Sequence, residues 1–221
     1  MLDVLYKDRD VIAVLKPAGM PTQPDKSGDT DVMTLLSEQL SSQGEPSALY
    51  LVHRLDRVVG GILVFARNKK SAAALCAMAA SDGMKKQYIA VTDAYLEGGV
   101  LVDMLKKDSR ISKAVVTDSR DRDAKRAELE LTPLATVGGK SLVKVKLITG
   151  RYHQIRAQLS SRGAPICADG KYGSRDRGAR FPALFAFGLS FSLGEKRLML
   201  KKMPDTDEYP WSVFKEIIKN I

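Results

Sequence analysis

The feature that most narrows the fold is a series of short apolar runs of period two, set against one another across brief polar turns. Ala127 to Leu134 and Ser141 to Thr149 alternate as antiparallel strands do, with Lys144 and Lys146 on the solvent face. Leu2 to Tyr6 and Val11 to Leu15 form a similar pair, split by the turn Lys7-Asp8-Arg9-Asp10, before residues 16 to 21 break the pattern as an irregular loop. Tyr50 to Asp56 reads as a strand running into a turn at Arg57–Gly61, and Ile62 to Ala66 as the next strand. Gln87 to Val91, Phe185 to Leu193 and Arg197 to Leu200 add further strands.

Helical spacing is confined to a few segments. Residues 30 to 41 carry it, with Asp29 or Thr30 as the N-cap, and so does the Ala-rich stretch from Lys69 to Ala80, closed by Asp82-Gly83. Arg151 to Arg162 and Trp211 to Ile218 complete the set. Hairpins dominate and helices fall between them irregularly. That predicts an α+β fold, a mixed and largely antiparallel central sheet with flanking helices and loops, in one domain spanning residues 1–221.

The net charge of +9 favours a polyanionic partner, because each basic group near a phosphate releases counterions, although solubility alone also accounts for such a charge. Residues 106 to 126 concentrate eight Lys/Arg against four Asp/Glu and read as a solvated hairpin or loop. The N-terminus is charged within three residues, and no apolar run approaches the roughly 20 residues of a membrane helix. Cys76 and Cys167 sit among apolar neighbours and read as two buried free thiols, in keeping with a reducing cytoplasm. His53 and His153 are flanked by arginines, and no Cys or acidic cluster has ligand spacing, so no metal site is expected. Gly139-Lys140-Ser141 fails as a phosphate loop, since Leu134 stands where the first glycine belongs.

Two segments carry chemistry. In His53-Arg54-Leu55-Asp56-Arg57 one carboxylate stands between two guanidiniums, which favour its ionised form and suit a nucleophile or an electrostatic stabiliser. A surface aspartate screened by basic neighbours would look the same. In Thr149-Gly150-Arg151-Tyr152-His153-Gln154-Ile155-Arg156, Gly150 allows a tight strand-to-helix turn, and the helix start can accept an anion. Ordinary amphipathicity is the plainer reading of that helix.

Taken together, in order, these segments resemble the RluA-type RNA pseudouridine synthases. Lys86-Gln87-Tyr88, Asp169-Gly170-Lys171-Tyr172-Gly173, and the opening stretch around Asp10 and Lys16-Pro17-Ala18-Gly19 extend the resemblance from near Leu2 to about Leu200. The resemblance implies an isomerase that detaches uracil from its ribose, rotates it and rejoins it through carbon 5. It implies Asp56 as the catalytic aspartate, Arg156 as its basic partner and Tyr88 as the tyrosine that stacks on the target base. Arg54 would enter the RNA where the base leaves, offsetting part of the few-kcal/mol unstacking cost. His53, Arg57, Lys86, Arg151, His153 and Gln154 complete the expected RNA-binding set. An isomerisation imports no group and loses no electrons, so no cofactor is expected.

The implied partner is structured RNA, a stem-loop of ribosomal or transfer RNA, bound by a monomer in the cytoplasm without an N-terminal RNA-binding module. An RNA-binding protein that keeps the fold without the chemistry is the alternative. Four positions depart from the family pattern: Val59 and Gly60 replace a Thr-Ser pair, and Gln158 and Phe185 each replace a frequent His. None of these touches the proposed catalytic groups.

Overall fold

A computed structural model describes the whole chain, Met1–Ile221. In chain order its elements are β1 (Asp3–Lys7), β2 (Val11–Lys16), α1 (Val32–Ser42), β3 (Tyr50–Leu51), β4 (Gly60–Ala66), α2 (Lys69–Ala80), β5 (Lys85–Thr92), β6 (Gly99–Asp108), β7 (Lys113–Thr117), β8 (Lys125–Val137), β9 (Lys140–Leu147), α3 (Gln154–Ser160), β10 (Leu184–Leu193), β11 (Lys196–Lys201) and α4 (Lys215–Ile218). The chain divides into two compact units, Met1–Lys85 with Ala186–Lys202, and Lys86–Phe185 with Met203–Ile221. The fold is α+β, with strands that pair mostly antiparallel, as the alternation predicts.

In the first unit the strands run β1-β2-β4-β10-β11, with β3 beside the end of β4. β4 is apolar throughout and buried at every residue, the pattern of a central strand covered on both faces. Ile62, Val64 and Ala66 pack with Val11, Leu75, Met84 and Phe191 in the main cluster of this unit. Gly61 is required where β4 meets β10. Its φ is 131°, and a Cβ there would stand 2.3 Å from the Ala186 carbonyl oxygen. α1 buries Val32, Leu36 and Leu40 along one stripe, and its cap is Asp31, whose carboxylate accepts from the Thr34 amide at 3.0 Å. The cap therefore lies one or two residues beyond the expected Asp29 or Thr30. α2 starts and ends as expected, and Asn68 caps it by accepting from the Ser71 amide.

In the second unit five antiparallel strands run β5-β9-β8-β6-β7. The register of β8 on β9 shifts between Pro133 and Ala135, where proline has no amide to give the ladder. The stretch expected as a solvated hairpin or loop holds a hairpin: β6 runs to Asp108 and pairs antiparallel with β7, which begins at Lys113, leaving the turn between them exposed. Leu105, Ala114 and Ala127 from this sheet pack on Ala157 of α3 and on Tyr172 of the 3-10 turn Gly170–Tyr172. The closing helix is shorter than its spacing predicts: a 3-10 turn, Trp211–Phe214, precedes a single turn of α4.

Candidate active site

In the first unit the segment carrying Asp56 is held from both sides. The strand expected over Tyr50 to Asp56 ends at Leu51, so residues 52–56 are irregular and depend on side chains for their fixing. Thr22 grips Leu55 twice: its hydroxyl donates to the carbonyl at 2.9 Å and accepts from the amide at 3.3 Å. Past Asp56 the chain turns, and the Val59 amide donates to the Asp56 carbonyl at 3.0 Å.

Lys16 stands beneath this turn and is fully buried. Its ammonium donates to the carbonyls of Pro17, Arg57 and Val59 at 2.9, 3.0 and 2.8 Å, matching three N–H groups to three acceptors. Burial pushes its pKa down to about 7, opposed by the negative charge of Asp56 and assisted by Arg57. The Gly19 amide adds a second bond to the Arg57 carbonyl, at 2.8 Å. Asp56 is thus a half-buried carboxylate on a loop held through peptide groups of Leu55, Asp56, Arg57 and Val59. Lys16 has no assigned role in the sequence reading, because nothing in Lys-Pro-Ala-Gly shows that its amine turns inward.

The flanking residues divide. Arg54 is exposed. Arg57 is half-buried and turned to the loop before α1, donating to Ser27 Oγ at 2.8 Å and pairing with Asp29. His53 accepts from the Val64 amide at Nε2, 3.2 Å away, which ties this segment to β4. Val59 and Gly60, the departures from the family pattern, are buried.

In the second unit Tyr88 and Lys86 lie two residues apart on β5, facing Val145 and Leu147 of β9. Both are buried, and burial lowers the pKa of Lys86. A Cβ on Gly150 would stand 3.7 Å from Lys86 Nζ, so this lysine lies against the turn that opens the 149–156 motif. The left-handed residue in that turn is His153, at φ 50°, rather than Gly150. Because that conformation interrupts the helical path, α3 begins at Gln154 instead of Arg151.

Gln154 is the keystone of the turn. Its Oε1 accepts from the Thr149 hydroxyl at 2.8 Å and the Arg151 amide at 3.0 Å, and its Nε2 donates to the Glu128 carbonyl at 3.0 Å. That amide is committed to backbone closure, a different use from the RNA contact expected of it. Arg151 is exposed and donates from Nε to the Arg126 carbonyl at 2.9 Å. His153 is buried, stacked on Tyr152 at 3.8 Å, with Nδ1 bonded to the Tyr172 hydroxyl at 2.9 Å. Burial, with Arg156, Lys171 and Lys107 adding, pushes its pKa down to about 3, so it is a neutral imidazole at working pH.

Arg156 is buried and forked onto Asp169, with Nε donating to Oδ2 at 2.6 Å and Nη2 to Oδ1 at 2.9 Å. The motif Asp169-Gly170-Lys171-Tyr172 marks these positions in the sequence, but the pairing depends on tertiary structure. Gln158, one of the departures, donates to Asp103 at 2.7 Å and to the Leu101 carbonyl at 3.3 Å. Phe185 is half-buried at the start of β10.

The expectation about the cysteines needs correction. Cys76 is exposed, not buried. Cys167 is buried beside charge: Lys140 Nζ lies 3.4 Å from its sulfur, 3.3 Å from Asp93 and 2.6 Å from Asp176. The Asp93, Cys167 and Asp176 ligand atoms all fall within 4.8 Å of one another, a convergence that their sequence separation conceals. The Lys140 ammonium supplies the cation among them. Burial pushes the Cys167 thiol up to about 11, which leaves it protonated and unreactive.

A model of the RNA pseudouridylate synthase family matches residues 10–161, and the chain belongs to that family. It is 33% identical over 181 residues to ribosomal large subunit pseudouridine synthase D of Zymomonas mobilis, covering 78% of this chain and 56% of that protein. It is 32% identical over 187 residues to tRNA pseudouridine synthase C of Vibrio cholerae, covering 78% of this chain and 75% of that one. The chain thus spans little more than half the length of the first of these relatives. The solved structure of human RNA pseudouridylate synthase domain containing 4 has the same fold, with a TM-score of 0.79 at 22% identity, covering 98% of this chain and 93% of that one.

Proposed function

We propose that this chain isomerises a uridine in ribosomal or transfer RNA to pseudouridine, with Asp56 as the catalytic carboxylate and residues 1–221 acting as one catalytic domain. The observation that carries the reading is the Asp56 turn itself. A polar, half-buried carboxylate occurs on a loop immobilised by Thr22, Lys16 and Gly19, within the span that matches the family. A merely solvating surface aspartate needs no such mounting.

Asp56 attacks the ribose or the base, or assists elimination to a glycal. Lys16, beneath the same turn, interacts electrostatically with this carboxylate, which supports the assignment. Tyr88 stacks on the target base, and Arg156 orders the carboxylate. The exposed Arg54 fills the space the base vacates, and the exposed Arg151 contacts phosphate. Neutral His153 and Gln154, whose side chain makes three hydrogen bonds, shape the motif turn instead of neutralising phosphates. The named relatives act on ribosomal and transfer RNA, which supports those substrate classes. No helix is long and apolar enough to cross a membrane, and we take the enzyme to be a cytoplasmic monomer.

The test is a chemical map of pseudouridines in total RNA from cells with and without the gene. Loss of one or a few sites on deletion is the expected result. Identical maps would favour an RNA-binding protein without the chemistry, and release of free uracil or shortened RNA by the purified chain would favour a hydrolase.

A further inference from the structure

Asp169 lies outside every role assigned so far, yet it is among the least exposed charged groups of the chain, at 1%. It takes one edge of the Arg156 guanidinium through two parallel bonds, 2.6 and 2.9 Å long. Tyr172, three residues on, lies against the face of the same group, with Cζ 4.9 Å from the ring centroid. One short segment therefore fixes the planar cation by an edge and by a face.

That segment is itself held rigidly. The Ser174 and Tyr172 amides donate to the Asp169 carbonyl, at 3.1 and 2.9 Å. Ser160 of α3 donates to the Tyr172 carbonyl at 2.6 Å. The Tyr172 hydroxyl accepts from the Ala114 amide at 2.8 Å and meets His153 Nδ1 at 2.9 Å.

Stability alone is a poor reason for such a pair. Two charges taken out of water repay their desolvation only with excellent geometry, and an apolar pair of similar volume often does as well. What the fork supplies is direction. With Nε and Nη2 bound to Asp169, planarity aims the opposite edge of the guanidinium along a fixed line.

We infer that Asp169 is a positioning residue for uridine isomerisation: by clamping one edge of Arg156, it fixes the orientation in which that guanidinium acts. This rests on the proposed function.

The test uses the full chain, with total RNA carrying uridine tritiated at carbon 5 from cells lacking the gene. Tritium appears in water as the new carbon–carbon bond forms. Asp169→Asn keeps the shape but loses the charge and one of the two bonds. It is expected to lower kcat by about tenfold or more, with KM within about twofold. Arg156→Lys cannot form a fork, so adding Asp169→Asn to it should cost less than about twofold further. An Asp169→Asn enzyme with wild-type kcat would overturn the inference, and so would losses that simply multiply in the double variant. If Asp169→Asn does not fold, Asp169→Glu keeps the charge but shifts the clamp. A reduced kcat at unchanged KM then supports the inference, and a wild-type kcat overturns it. Asp56→Asn in the same assay separates the two readings. Tritium release by that variant would overturn the proposed function, whereas its silence beside a fully active Asp169→Asn enzyme would overturn only the role of Asp169.

Discussion

At the scale of the residue, the chain uses buried charge to fix backbone. Lys16 is the clearest case, because its three donors meet three carbonyls around the Asp56 turn. Lys16→Met would leave those acceptors unpaired and is expected to lower stability by roughly 2 kcal/mol, read as a fall in the urea midpoint at constant m. Activity should fall more steeply than stability, since the carbonyls released flank the proposed catalytic carboxylate. His153 gives a second residue-scale expectation. Its folded pKa of about 3 lies below the ordinary 6.5, so between those values the unfolded chain binds the extra proton. Its contribution to stability is therefore complete above pH 6.5 and lost as pH falls toward 3. In nitrogen NMR its ring should stay neutral at pH 5. A midpoint near 6.5 would contradict the buried, Tyr172-bonded imidazole.

At the scale of the element, what was legible depended on whether the signal was local. β2, β4 and α2 are read from sequence almost to the residue, because an uninterrupted apolar run and an Ala-rich periodic stretch each leave little choice of partner. The tip of the β6–β7 hairpin was legible in its charges as a hairpin or loop, but the first part of β6, from Gly99, was not, because mixed burial erases clean alternation. The start of α3 was misplaced because a left-handed His153 leaves no signature, glycine being the residue expected there. In the candidate site, motifs marked Asp56, Tyr88 and Arg156. Lys16 and Asp169 gained their roles only once the fold brought distant carbonyls and guanidinium to them. Gly61 offers the test at this scale. Gly61→Ala meets both a φ of 131° and a backbone oxygen at 2.3 Å, and should cost on the order of 3 kcal/mol in a chemical denaturation curve. A loss below roughly 1 kcal/mol would mean that β4 and β10 can part more easily than this packing allows.

At the scale of the whole molecule, the +9 charge suits the proposed encounter with RNA, while the chemistry is assigned to single groups. Binding to the substrate RNA should weaken steeply with salt. Arg54→Ala and Arg151→Ala should each reduce the slope of log K against log salt by about 0.7–0.9 wherever the side chain meets a phosphate. An unchanged slope would mean that the arginine neutralises no phosphate. The most direct trial of the account lies in cells that lack the gene and are supplied with either the wild-type chain or Asp56→Asn. The wild type should restore the missing pseudouridines. The variant should restore none, although it accumulates to the same level and melts at the same temperature. Restoration of those sites by Asp56→Asn would contradict the assignment of Asp56 as the catalytic carboxylate.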